Sequence, residues 1–250
     1  MIIKLFKQCY GKSTGKLKLY DHVVGATEIA LYILDRFGKT YPKEKRDTLI
    51  FSTFAHDLGK LNSDFQAMLQ AVIKGDPLPS KRVKHEASTL EYIDVLRDGQ
   101  DEIIKELFSA FSYKITDPID LDMVLAFAVS HHGLFYMSYE STKNYGDKWL
   151  IRREWTTRTI NEVKRITLVD LLLLFHPFGG LVMVSDLIHS FCHEKGIDYR
   201  NLISETASYG QLLDKLTEEA DNLEMALNKD DPRSNRGIKE LLELLMGGVD

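Results

Sequence analysis

Phe54-Ala55-His56-Asp57-Leu58-Gly59-Lys60-Leu61-Asn62-Ser63-Asp64-Phe65-Gln66 is the stretch on which the reading of this chain turns. An apolar run ends in an imidazole and a carboxylate side by side, then meets a glycine and a lysine. The pattern predicts a helix over 43–58 with Gly59 as its stop, and a following helix from Ser63 or Asp64 to Lys74-Gly75. Packing alone requires neither His56 nor Asp57. A carboxylate has two oxygens and can bridge two cations, whereas an imidazole gives one lone pair to one cation. The pair therefore suits a site in which Asp57 links two metals and His56 holds one. Two cations about 3.5–4 Å apart can clamp the attacking and leaving oxygens of a phosphoryl displacement.

Outward from this stretch the pattern is helical. Asp21 is expected to cap a helix running to Phe37, with Val23, Ala26, Ile29, Ala30, Ile33 and Phe37 as its apolar stripe and Gly38 as its stop. Further helices are expected over 84–97, 102–111, 121–132 (capped by Asp120 and closed by Gly133), 166–175 and 181–194. Asp76-Pro77-Leu78-Pro79 reads as a loop, and 134–165 is less regular. Few segments read as strands. The expected fold class is all-α, a helical bundle around one core over residues 1–205. Residues 206–250 are amphipathic and acidic, split at Asp230-Asp231-Pro232, and are expected to form a helical appendage that packs on the bundle or meets a partner.

Composition bounds the function. The 250 residues are 44% hydrophobic and 28% charged, an ordinary globular balance that can bury a full core. Cys9 and Cys192 lie far apart without CxxC spacing, which argues against a disulfide scaffold and a cysteine-rich zinc site. A reducing, cytoplasmic setting is the simplest expectation. The N-terminal residues contain no apolar signal core followed by a small-residue cleavage site. The most membrane-like run, Leu168 to Val184, is interrupted by Asp170, His176-Pro177 and Gly179-Gly180, so it reads as two buried helices and no membrane is expected as a partner. The formal net charge is −5, whereas a protein living by nonspecific phosphate contacts is usually basic. Attraction for nucleic acid would have to be local, come from bound metal, or be supplied by a partner.

Other metal-capable groups stand at the predicted helix ends: His22, His85, the pair His131-His132, and Asp186. A lone histidine beside an apolar helix is usually a hydrogen-bonded core residue. Adjacent histidines differ, because they point about 100° apart on a helix and packing rarely needs both. Histidine and carboxylate without cysteine is the ligand mix of hydrated catalytic transition-metal sites.

The order H…HD…H…HH…D resembles the HD-domain superfamily of metal-dependent phosphohydrolases. The contexts Tyr20-Asp21-His22-Val23, His56-Asp57-Leu58-Gly59-Lys60 with Asp64-Phe65-Gln66, Lys84-His85-Glu86-Ala87-Ser88, Ser130-His131-His132-Gly133 and Ser185-Asp186 are similar to the HD nuclease of type I CRISPR systems, the nuclease half of a nuclease-helicase. The resemblance covers residues 18–190. It implies one metal on His22, His56, Asp57 and Asp186, and a second on Asp57, His85, His131 and His132. Asp186 is followed by Leu187 where the family often has an aromatic residue, and Asp170 is the rival carboxylate. The resemblance further implies two divalent cations, cleavage of DNA (mainly single strands, with RNA as the other possible strand), and work alongside a helicase subunit and a guide-RNA surveillance complex. Histidine-rich ligation favours Mn, Fe, Co or Ni over Mg. Gly11-Lys12-Ser13-Thr14 mimics the tail of a phosphate-binding loop, but Phe6 stands where its first glycine is needed.

Lys60 is a candidate catalytic residue that contacts the scissile phosphate or the developing charge. Asp64, Phe65 and Gln66 read as the start and anchor of a helix, and Ser88 as a hydrogen-bond partner of the site or a plain helix residue. His189 lies three residues after Asp186 and could face the site, but reads rather as a surface or core histidine; His176, before Pro177, reads as structural. Lys143, Lys148, Arg152, Arg153, Arg158, Lys164 and Arg165, interleaved with Tyr145, Trp149 and Trp155, form a candidate single-strand surface, and Lys81-Arg82-Lys84 a second. The competing functions are hydrolysis of nucleotides or cyclic dinucleotides by the same ligands, and a non-catalytic HD docking module.

Overall fold

The computed structural model describes residues 1–37, 43–79, 83, 85–131, 137–142, 146–151, 180–208, 211, 212 and 215. The described helices are α1 (Ile2–Gln8), α2 (Leu19–Phe37), α3 (Lys43–Ala55), α4 (Ser63–Lys74), α5 (His85–Ser88), α6 (Ile93–Asp98), α7 (Gln100–Phe111), α8 (Leu121–Ser130), α9 (Gly180–Lys195) and α10 (Tyr199–Ser204). Short 3₁₀ turns at Thr14–Lys16, Leu58–Leu61 and Thr89–Tyr92 join them. The all-α class holds, with one addition. Met137–Thr142 (β1) and Gly146–Ile151 (β2) pair antiparallel, Met137 opposite Ile151 and Thr142 opposite Gly146.

The centre of the bundle is α2, which packs against α1, α3 and α9, while α3 also packs against α8. The expected stripe of Val23, Ala26, Ile29, Ala30 and Ile33 is buried in the core with Phe51, Phe54, Leu58, Phe127 and Val182. Helix α2 starts at Leu19, three residues before the first position expected after an Asp21 cap, so Asp21 sits in its first turn and is not its cap. Asp120 caps α8 as expected, its carboxylate accepting from the Met123 N–H at 3.1 Å. Helix α4 is capped by Asn62, whose side-chain oxygen accepts from the N–H groups of Asp64 and Phe65, and not by Ser63 or Asp64. Gly75 closes it in the left-handed region at φ 75°.

Two departures from the sequence reading shape the site. Helix α3 ends at Ala55, leaving His56 and Asp57 in a turn before the 3₁₀ segment Leu58–Leu61. The helix expected over 84–97 is broken into α5, a 3₁₀ turn and α6. The break falls where Gly59 presses on this segment. A methyl group on the Gly59 Cα would lie 1.8 Å from the His85 carbonyl oxygen and 2.6 Å from the Thr89 nitrogen. Gly59 is thus required for the close approach of two backbones, not as a helix stop. Its N–H donates to Thr89 Oγ1 at 3.2 Å, tying the two turns together.

Candidate metal centre

Five separate segments deliver the candidate side chains to one buried point. His22 comes from the start of α2, His56 and Asp57 from the turn after α3, and His85 from the first position of α5. His131 follows the last turn of α8, and Asp186 lies on α9. All six are buried, His22, His56 and Asp57 completely. His132, Asp170 and His176 lie outside the described residues, as do Lys81, Arg82, Lys84 and most of the 141–165 surface candidate. The part of that segment within β1 and β2 is described for its backbone alone.

The two oxygens of Asp57 face different partners. Oδ2 lies 3.0 Å from His22 Nε2 and 3.5 Å from His56 Nε2. Asp186 Oδ1 completes that side, at 3.0 Å from His22 Nε2 and 3.7 Å from His56 Nε2. Oδ1 of Asp57 lies 3.1 Å from His85 Nε2 and 3.5 Å from His131 Nε2. Two donor triads, His22–His56–Asp186 and His56–Asp57–His131, each have their ligand atoms within 4.8 Å of one another.

The far nitrogens of two rings fix their tautomers. His56 Nδ1 lies 2.6 Å from the Thr53 carbonyl oxygen and His131 Nδ1 2.5 Å from that of Ala128. A carbonyl can only accept, so each Nδ1 carries the proton and each Nε2 presents its lone pair to the centre. Among the described residues, His22 Nε2, His56 Nε2 and Asp57 Oδ1 are buried without a hydrogen-bond partner, and Asp57 Oδ2 meets the Lys60 ammonium as an ion pair. These atoms approach one another yet do not align for hydrogen bonds. Burying such groups unsatisfied is costly. A convergent, buried set of nitrogen and oxygen lone pairs fits divalent cations, which would satisfy all of them at once.

The electrostatics agree. Burial opposes ionisation of Asp57, but the Lys60 ammonium, His56, His131 and His22 outweigh it and hold its carboxyl well below the usual range. Asp186 is likewise held well below that range, burial being outweighed by His22 and His56. Burial pushes His56 down, yet Asp57 and Asp186 raise it overall. For His85 burial wins, and its pKa is lowered against the pull of Asp57. The acids are therefore ionised, as ligands must be.

Lys60 is 6% exposed and its Nζ lies 2.6 Å from Asp57 Oδ2. It is buried against the candidate ligands. The Gln66 side chain acts as a two-way clip. Its Nε2 donates to the carbonyl oxygens of Lys60 at 2.7 Å and Tyr10 at 2.9 Å, and its Oε1 accepts from the Tyr10 N–H at 2.9 Å. The Phe65 ring lies 4.9 Å from that of His85. Asp64–Gln66 therefore anchors more than a helix start, and Gln66 holds the Lys60 backbone. His189 is no surface residue. It is buried with Nδ1 2.9 Å from His22 Nδ1, and burial first, then His22, push its pKa down to about 3. Its spacing of three from Asp186 was the signal, since such neighbours share a helix face.

No described helix is long and apolar enough to cross a membrane. No curated protein and no solved structure matched the chain. Among protein families, residues 10–190 match the one described as Cas3, HD domain. That match spans most of the chain and contains every candidate ligand named above. Its implication is a metal-dependent nuclease role in CRISPR systems. The chain belongs to the Cas3 HD-domain family.

Proposed function

We propose that this chain cleaves DNA, mainly single strands, through a two-cation centre, working in the cytoplasm with a separate helicase and a guide-RNA surveillance complex. The observation that carries the reading is the division of the Asp57 oxygens. Oδ2 faces His22, His56 and the nearby Asp186, while Oδ1 faces His85 and His131. One cation would take His22, His56, Asp57 and Asp186; the other would take Asp57, His85, His131 and His132. Cations bound there would polarise the phosphate and activate the attacking water. Mn, Fe, Co or Ni suits these donors better than Mg.

The remaining work belongs to the protein. The carbonyls of Thr53 and Ala128 hold two imidazoles in the tautomer that offers Nε2 inward. Lys60 neutralises part of the Asp57 charge and stands ready to meet an incoming phosphate oxygen. Residues 1–205 would form the nuclease domain and 206–250 an appendage packed on it or used for partner contact.

The test compares the wild type with Asp57→Ala on long labelled single- and double-stranded DNA, RNA, nucleotides and cyclic dinucleotides across a panel of divalent cations. We expect cleavage of single-stranded DNA that needs added metal and is lost in the variant. Equal activity in Asp57→Ala removes the catalytic reading. Hydrolysis confined to small nucleotides replaces the substrate.

A further inference from the structure

Each inward-facing imidazole needs something to hold its outward nitrogen, and His22 differs from His56 and His131 in what it has. Those two rings face carbonyl oxygens. The Nδ1 of His22 instead lies 2.9 Å from the Nδ1 of another buried imidazole, His189. Two neutral imidazoles meeting nitrogen to nitrogen share one proton, so one ring donates and the other accepts. A carbonyl dictates which ring nitrogen is protonated; an imidazole leaves the choice to whatever faces the other nitrogen.

The ring of His189 sits in a slot made for it. A methyl group at Gly25 would lie 2.1 Å from its Nε2 and 2.2 Å from its Cδ2, so α2 can pass α9 here only without a side chain at that position. Tyr199 closes one side, its ring 5.7 Å away, and the His193 ring stacks at 6.4 Å. Nothing in helix packing requires a glycine at the middle of α2 opposite a histidine. A leucine or methionine at 189 facing an alanine would fill similar space without a buried polar ring.

We propose that His189 is the positioning residue for His22: its Nδ1 accepts the proton of His22 Nδ1 whenever His22 Nε2 faces a cation. This rests on the two-cation reading, in which His22 Nε2 must be unprotonated. It then goes further, because it makes His22 a ligand whose tautomer, unlike those of His56 and His131, is set by another imidazole and not by a carbonyl. With no cation present, His22 can instead carry its proton on Nε2, facing Asp57 and Asp186, each 3.0 Å away, while His189 takes its Nδ1–H tautomer and donates to His22 Nδ1. Binding at the His22 side therefore draws on the accepting power of His189, and binding at the His85 side does not.

The experiment measures cation binding by calorimetry on metal-stripped protein, with Mn as the probe. His22→Ala identifies which equivalent depends on His22. His189→Phe keeps a ring in the slot but removes the acceptor; His189→Asn keeps an acceptor oxygen near the Nδ1 position. Loss of such a supporting partner costs about 10–100-fold in metal affinity. We expect His189→Phe to weaken the His22-dependent equivalent by that factor and leave the other unchanged, and His189→Asn to recover most of the loss. Unchanged binding in His189→Phe overturns the proposal. So does His189→Asn as weak as His189→Phe, which would mean that ring bulk matters and the acceptor does not. Melting curves of the stripped proteins establish that the variants fold. Should His189→Phe not fold, Gly25→Ala, which displaces the ring from the other side, must weaken the same equivalent. A wild-type chain that takes up no cation sinks the two-cation reading itself, a result separate from selective indifference to His189.

Discussion

Substituting Gly59 by alanine tests whether the site is set by backbone packing as well as by ligand identity. The added methyl would sit 1.8 Å from the His85 carbonyl oxygen, 2.6 Å from the Thr89 nitrogen and 2.8 Å from the His85 carbonyl carbon. All three are backbone atoms, so no side-chain rotation relieves the clash. The two turns must separate by more than an ångström to reach ordinary contact. Overpacking of this kind costs about 1–3 kcal/mol, and losing the Gly59 N–H to Thr89 hydrogen bond adds about 1 kcal/mol. The functional effect should exceed the structural one. Asp57 is two residues before Gly59, and His85 belongs to the segment pushed away, with 3.1 Å now between Asp57 Oδ1 and His85 Nε2. Metal–ligand distances tolerate about 0.2 Å. Gly59→Ala should therefore unfold a few degrees earlier yet lose the His85-side equivalent in a calorimetric metal titration. Retention of both equivalents at wild-type affinity would refute the claim that this contact sets the centre.

Gln66→Leu should lower DNA cleavage while metal uptake persists, since Gln66 holds the Lys60 and Tyr10 backbones and touches no ligand; parallel loss of metal binding would contradict that division. Asp47→Ala should cost about 3 kcal/mol in a urea melt at neutral pH, because its carboxylate accepts from Tyr113, from Thr116 twice and from the Asp117 N–H, leaving donors stranded. Burial raises the Asp47 pKa, but the Asp117 and Thr116 N–H groups and Tyr113 lower it below its ordinary 3.8, so this stability is present above that pH and lost as pH falls further; the gap between wild type and variant should close in strong acid. Cation affinity should fall on acidification. His56, which Asp57 and Asp186 raise against burial, meets more proton competition than His85, which burial lowers. An undiminished cleavage rate at pH 5 would count against metal-bound histidines.

The parts legible in the sequence were those whose signal is local. The α2 stripe, the Asp120 cap and the span of α7 follow from spacing and capping chemistry within one turn. His56-Asp57 stood out because two adjacent polar groups closing an apolar run have no packing purpose. What escaped depended on distant partners. Helix α1 is only seven residues long, too short to show a period, and is held by Glu102, whose carboxylate accepts from the Ile2 and Ile3 N–H groups. The broken helix over 84–97 reads as continuous because its interruption is imposed by Gly59, which is remote in sequence. Gln66 looked like a helix-start residue because its partners, Tyr10 and Lys60, are set by the fold. His189 shares a face with Asp186, but only the crossing of α2 over α9 shows that it meets His22.

The chain's negative charge, at first sight awkward for the proposed cleavage of DNA, is compatible with the same geometry. Without cations, the cluster sets the Asp57 and Asp186 carboxylates against one ammonium, Lys60, and offers phosphate little attraction. Two divalent cations would change that at one buried point, where bound ions are the largest local charges. An overall −5 then suppresses nonspecific adhesion without weakening the centre, because surface charges are screened over about 8–10 Å in physiological salt. On this account the protein has no need of a basic face to find substrate: the helicase partner would deliver the strand and the cations would capture it. Retention of single-stranded DNA by the isolated chain should therefore depend on metal. The stripped protein and Asp57→Ala should show little retention in a filter-binding assay at low temperature, and the loaded wild type clear retention. Equal retention by stripped and loaded protein would place the grip on the chain's own surface and remove the cations from substrate capture.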